Sequence, residues 1–221
     1  MQNPPGSKVL IVDDDPDVRD LIADSLRLPS ASVDCAASGV EFMKRIQNGS
    51  AYDLILLDIS MPGMDGISAL RLLRDRKDPA RYTPVMIISG SNDQSFVISS
   101  SGLDVSGFVV KPFLPQDLAT RVGAIIGHAL ESTEIRGILM HLSFADDSYF
   151  AGSSLKQLAP AWRGFPVRAG NRQLGVFVKS GLSPRALAKE NDMNLLGGVS
   201  IFELIDHKWQ KIYVKRARNA A

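Results

Sequence analysis

The sequence predicts an α/β domain built on a five-stranded parallel sheet, followed by a smaller α+β domain. Three observations carry that reading. Over residues 1–129, short apolar runs alternate with stretches of helical period, the pattern of strands joined by crossover helices. Two of the runs, at 53–58 and 84–89, are nearly unbroken Leu, Ile, Val and Met, as expected of central strands covered by helices on both faces. Beyond residue 129 the alternation stops and the charge changes sign. Residues 1–130 carry 12 Lys/Arg against 16 Asp/Glu, a net of −4, and residues 131–221 carry 13 against 8, a net of +5.

Taken in order, the strands are expected at about 8–13, 31–36, 53–58, 84–89 and 107–110, with helices at about 16–28, 38–47, 65–76, 93–101 and 115–129. The first helix carries its own start signal: Asp15 suits the N-cap and Pro16 the first helical position, with Val18, Leu21, Ile22 and Leu26 marking an inward face. The last helix is expected to run on through about 143, and SSLKQLAPAW from 153 reads as a short helix stopped near Pro160. FPVR and RQLGVFVK then flank the turn residues Ala169, Gly170 and Asn171 as a hairpin. Ser183 and Pro184 start a helix through about Glu190, Gly197 and Gly198 break the chain before the strand VSIFELI, and IYVKRA is a candidate last strand. The resulting division is a first domain at 1–129, a linker at 130–152 that is helical at its start, and an α+β domain at 153–221.

The chemistry lies where the apolar runs end. Asp13 and Asp14, Asp58, Ser89 and Lys111 follow or close four of the strands, and the carboxyl ends of strands are where an open parallel sheet gathers ligands. Asp58 is the candidate nucleophile, since a carboxylate can take a phosphoryl group and form an acyl phosphate. Attack on an anionic phosphoryl group needs neutralised charge, which a hard divalent cation held by oxygen supplies. Asp13 and Asp14 suit Mg2+, with Asp58 and the backbone carbonyl of Ser60 completing the protein's share. Lys111 adds a point charge for the phosphoryl oxygens and the Ser89 hydroxyl a hydrogen bond. Taken singly these residues have plain structural readings: an acidic helix cap, a turn, a core serine. Their conjunction at one end of one sheet is what the phosphoryl-transfer account explains.

These residues, with DD after the first strand, DISMPGMDG after the third, Ser-Gly after the fourth and KPF after the fifth, resemble the receiver domain of two-component response regulators over about residues 7–129. The resemblance implies the flavodoxin-like strand order 2-1-3-4-5. It implies Asp58 as phosphoacceptor, Asp13 and Asp14 as the acidic Mg2+ pair, Ser89 as switch hydroxyl and Lys111 as phosphate-sensing lysine. Phe108 stands where the family has a rotating Tyr or Phe that alters the face of the helix at 93–101 and the fifth strand. A cis Lys111–Pro112 bond is implied as well. The partner is a sensor histidine kinase or phosphotransfer protein, and homodimerisation on phosphorylation is a further expectation. No enzymatic activity is expected beyond the receiver's own phosphorylation and dephosphorylation.

Cys35 is alone, so no intramolecular disulfide forms. No apolar run approaches bilayer-spanning length, and MQNPPGSK lacks the layout of a secretion signal, so a cytoplasmic protein without membrane contact is expected. The second half carries no metal-ligand spacing or phosphate loop, and His128, His141 and His207 belong to no catalytic arrangement. SGLSPRALAKENDMN resembles the opening of a helix-turn-helix, although Gly-Gly follows where a recognition helix should begin. Residues 175–205 faintly resemble the end of restriction-endonuclease-like domains, without the upstream acidic residues such nucleases need. KWQKIYVKRAR interleaves Trp209 and Tyr213 with basic residues, a composition suited to nucleic acid, with a terminal amphipathic strand as the plainer reading. DNA-binding transcriptional control therefore leads as the output of residues 131–221, ahead of a protein-interaction module and an inactive or enzymatic nuclease-related domain.

Overall fold

The computed structural model describes residues 7–26, 32–90, 103–142, 155 and 161–215. The chain divides into two compact units, residues 1–127 and 128–221.

The first unit is a parallel sheet of β1 (Lys8–Val12), β2 (Ser32–Ala36), β3 (Leu54–Asp58), β4 (Val85–Gly90) and β5 (Gly107–Lys111), in the order β2-β1-β3-β4-β5. Four helices are described in it: α1 (Pro16–Ser25), α2 (Gly39–Gln47), α3 (Gly66–Arg74) and α4 (Pro115–His128). The period of two in the strands sorts the core into two layers. Leu10, Val12, Ile55, Leu57 and Ile87 pack against Phe42 and Ile46 of α2 and Leu70 and Leu73 of α3. Val9, Ile11, Leu54, Leu56, Met86 and Ile88 pack against Ile22 of α1 and Leu118, Val122 and Ile126 of α4. Each fully buried side chain of this size contributes about 1.5–3 kcal/mol of transfer free energy, which fixes the register and so the level at which every strand ends. Cys35 is half-buried against the second layer.

The start signal expected of the first helix operates, and two further helices are capped alike. Asp15 accepts hydrogen bonds from the Asp17 and Val18 amides, and Ser38 and Asp65 cap α2 and α3 in the same way. The expected helix at 93–101 lies outside the described residues, as does the end of the first helix beyond 26.

The second unit departs further from expectation. The last helix of the first unit does not run on to 143, nor is 130–142 a linker. Helix α4 stops at His128, β6 (Leu130–Glu131) pairs in parallel with β11 (Val214–Lys215), and α5 (Ser132–His141) starts anew. Leu130, Ile135 and Leu139 are buried in the second core, so apolar burial rather than helix propensity decides the path. The helix expected from 153 lies outside the described residues apart from Leu155. An antiparallel sheet follows in the order β10-β9-β8-β7, from β7 (Trp162–Ala169), β8 (Arg172–Lys179), β9 (Val199–Ile205) and β10 (Lys208–Ile212). The hairpin about Gly170 forms as expected, with Gly170 at φ 59°.

Between β8 and β9 the expected helix starts at Pro184 but is shorter than expected, α6 (Pro184–Leu187), and a second helix that was not expected follows it, α7 (Asp192–Gly198), capped by Asn191. Gly197 and Gly198 end α7 rather than break the chain. A Cβ on Gly198 would lie 2.8 Å from Leu187, so the glycine is what lets the helix end close on its neighbour. No recognition helix follows α6: α7 has seven residues and leads straight into β9. The strand-helix ending of the nuclease-like reading is missing too, because β9 turns through Asp206 and His207, at φ 48° and 63°, directly into β10. Two residues with positive φ make the tight turn whose twist matches paired strands. Of the expected last strand IYVKRA, Ile212 ends β10 and Val214–Lys215 form β11, and its residues beyond 215 lie outside the described ones.

Candidate functional site

The five candidate residues converge as the strand order requires. β1 and β3 are neighbours, and Asp13 leaves β1 beside Asp58, which closes β3; both carboxylates are buried, at 1% and 3% exposure. Asp14 is exposed beside them, and one oxygen from each of the three lies within 4.8 Å of the others. Lys111, closing β5, reaches across β4: its Nζ donates to Asp13 Oδ2 at 2.7 Å and to Asp58 Oδ1 at 2.9 Å. Ser89 is fully buried one residue beyond Ile88, the register partner of Asp58, and its hydroxyl donates to the Gly90 carbonyl at 3.0 Å. The Lys111–Pro112 bond is cis, as the resemblance implied.

The electrostatics follow from this crowding. Burial raises the Asp58 carboxyl above its ordinary value, against the hydrogen bond and charge of Lys111, while the Asp13 charge adds to the rise. Burial opposes protonation of Lys111, yet the bonds to Asp13 and Asp58 outweigh it and hold the ammonium above its usual value. Two carboxylates and one ammonium therefore leave a net negative pocket, a setting for a cation.

Further contacts position this chemistry, most of them made by backbone groups. The Ser60 amide donates to Asp58 Oδ2 at 3.0 Å, and the Asp15 amide to Asp13 Oδ1 at 3.0 Å. Arg19 Nη1 donates to the Asp13 carbonyl at 2.7 Å, holding the backbone from which that carboxylate projects. Gly66, which reads as a mere turn residue, is the tightest point of the site. A Cβ there would meet the Asp58 carbonyl oxygen at 2.0 Å, while its amide donates to the Ile59 carbonyl at 3.0 Å. Its signal was its place directly after the N-cap Asp65, where alanine would serve a helix better. Phe108 is partly buried against the first core layer, and its carbonyl accepts from Arg121 Nη1 at 3.4 Å.

Three oxygen donors at this separation fit a hard divalent cation such as Mg2+, which prefers carboxylate and carbonyl oxygen and keeps part of its water. Among the described residues no helix is long and apolar enough to cross a membrane.

Comparison with known proteins agrees with the geometry. Residues 9–123 match the response regulator receiver domain family. The transcriptional regulatory protein ResD of Bacillus subtilis is 30% identical over 151 residues, covering 65% of this chain and 61% of ResD. The transcriptional regulatory protein AruR of Pseudomonas aeruginosa is 32% identical over 123 residues, covering 54% and 49%. The chain thus spans about half to three-fifths of the length of these relatives. Among solved structures, the signal receiver domain of a signal transduction histidine kinase from Syntrophus aciditrophicus aligns with a TM-score of 0.50 at 26% identity, covering 55% of this chain and 91% of that one. With its acidic pocket bridged by Lys111 and more than half its length matched, the chain belongs to the response regulator receiver domain family.

Proposed function

We propose that this protein is a phosphorylation switch in which Asp58 accepts a phosphoryl group from a sensor histidine kinase or a phosphotransfer protein. The observation that carries the reading is the Lys111 ammonium held between Asp13 and Asp58 at 2.7 and 2.9 Å. An Asp58 oxygen attacks phosphorus, the phosphorus–nitrogen bond of the donor phosphohistidine breaks, and its electron pair stays on the imidazole. Asp13, Asp14, Asp58 and the Ser60 carbonyl would hold Mg2+, which when bound offsets the charge of the arriving phosphoryl oxygens. Lys111 stands beside the attacking carboxylate and supplies a second positive charge there. Ser89, turned toward the Gly90 carbonyl, rotates to donate to a phosphoryl oxygen, and Phe108 repacks with it, carrying the change to the β4–β5 side of the sheet. The lone Cys35 goes with a reducing, cytoplasmic setting.

Two readings of the second unit have support. The names of ResD and AruR and the +5 charge of residues 131–221 favour transcriptional control through DNA. The topology weighs against a helix-turn-helix and so toward output through a protein contact, because the helix after α6 is α7, which spans seven residues, buries Leu195 and gives way at once to β9. We take the protein contact as the better fit to the geometry. Catalysis by the second unit is not part of the proposal.

Asp58→Asn should abolish phosphate incorporation from a small phosphodonor with Mg2+ while leaving the thermal transition intact; equal labelling of the two proteins would remove the central claim. Salt-sensitive retention of the phosphorylated chain on duplex DNA would reverse the order of the two outputs.

A further inference from the structure

We propose that the second unit carries a binding groove for an organic anion with an apolar body, separate from the phosphoacceptor site. The groove, of about 820 Å³, is bounded by the end of α5, the start of β7 and the β8–α6 turn. Its volume falls in the range of roughly 300–1,000 Å³ typical of small-molecule sites. The chemistry of its lining is one-sided. Arg163, Arg185 and His141 supply basic groups, and none of the described residues that line it is acidic. Phe165, Leu142 and Leu182 supply the apolar surface, and Leu182 remains 38% exposed, a cost that a ligand would remove.

Two polar side chains on its wall are placed by the local backbone. Arg163 Nη2 donates to the Leu182 carbonyl at 2.7 Å, which ties β7 to the turn and fixes the guanidinium at the groove wall. Ser183 is the N-cap residue of α6, yet its side chain makes no capping bond, so the hydroxyl is not committed to the helix. Guanidinium groups on two different elements, with a hydroxyl between them in sequence, match a carboxylate, sulfonate or phosphate whose oxygens need several donors at once. The apolar wall selects for an anion that carries an aliphatic or aromatic body over an inorganic ion. Gly181, at φ 88°, turns the chain back after β8 and so sets Leu182 and Ser183 in the groove.

The probe is a dansylated twelve-carbon fatty acid titrated into the full chain and followed by fluorescence. One site per chain is expected, with affinity reduced at least about tenfold by Arg185→Glu and, separately, by Leu182→Asp, while the thermal transitions of both variants match wild type. Laurate should compete, whereas dodecanol and inorganic phosphate should compete at least about tenfold more weakly. An acidic peptide that competes better than laurate would overturn the small-molecule assignment in favour of a protein ligand. Binding that is non-saturable, or unchanged in both variants, would overturn the groove itself. Asp58→Asn should bind the probe as wild type does, so failure of the phosphoacceptor reading and failure of this one are separable.

Discussion

Replacing Gly66 by alanine tests how tightly the phosphoacceptor is held. The added Cβ would start 2.0 Å from the Asp58 carbonyl oxygen and 2.9 Å from the Asp58 carbonyl carbon and the Ile59 Cα, all of them backbone atoms. An ordinary carbon–oxygen contact is about 3.3 Å, so α3 and the end of β3 must separate by about 1.3 Å. No side-chain rotation relieves this. Two costs follow. Overpacking of this kind destabilises by about 1–3 kcal/mol, which for a unit of this size lowers the melting temperature by roughly 4–12 °C. The shift also acts on the residue that carries the chemistry: a displacement of about 1 Å can cost a factor of about 100 in rate when reacting groups are pre-aligned. Melting followed by fluorimetry and phosphate incorporation from a small phosphodonor with Mg2+ read the two effects. A Gly66→Ala protein that melts and labels like wild type would refute the claim that close approach at Gly66 positions Asp58.

Other outcomes follow from particular contacts. Arg74 donates to the carbonyls of Leu103, Arg81, Thr83 and Asp104, so Arg74→Ala should lower receiver stability by about 3 kcal/mol in denaturant titration, with Arg74→Lys recovering little because an ammonium cannot span four acceptors. A midpoint within error of wild type would count against this. Arg172 grips the buried Glu203 carboxylate through two bonds, of 2.9 and 2.8 Å, so Arg172→Met should cost about 3–5 kcal/mol and the double change Arg172→Met with Glu203→Leu should recover most of it. Additive losses in that cycle would contradict the pairing. Asp65 is held below the usual carboxylate range, first by the Ser68 amide. A lowered folded value contributes stability above the unfolded value of about 4 and loses it as pH falls through the folded one. The advantage of wild type over Asp65→Asn should therefore shrink below about pH 4, and a difference that grows in acid would show the sign to be wrong.

The receiver was legible because its signals are local and mutually consistent. Apolar runs fix strands 54–58 and 85–90, and each run ends at a residue whose chemistry requires the strand end. What escaped was tertiary in origin. Gly66 and Arg19 matter through atoms brought near by folding, and a sequence shows a glycine after a cap without showing what lies 2.0 Å from it. The stretch 130–142 has helical character throughout, so nothing local marks the strand at Leu130–Glu131, which exists only because Val214 and Lys215 come to pair with it. The capping bond from the Glu131 amide to Glu134 then restarts the helix. Of the two helices between β8 and β9, α6 starts where Ser183 and Pro184 said it would and α7 was missed: Asn191 is a good cap, but it lies in the polar stretch from Lys189 to Asn194.

The pairing of Leu130–Glu131 with Val214–Lys215 has a consequence for modularity. Ala129 alone separates α4 from β6, the first strand of the second unit, which lies against β11, the last strand among the described residues. With these two strands paired, the unit's own backbone ties the start of its chain to the last part described. The Asp58 pocket is a different kind of assembly, drawn from four strands of one sheet, and no single segment carries it.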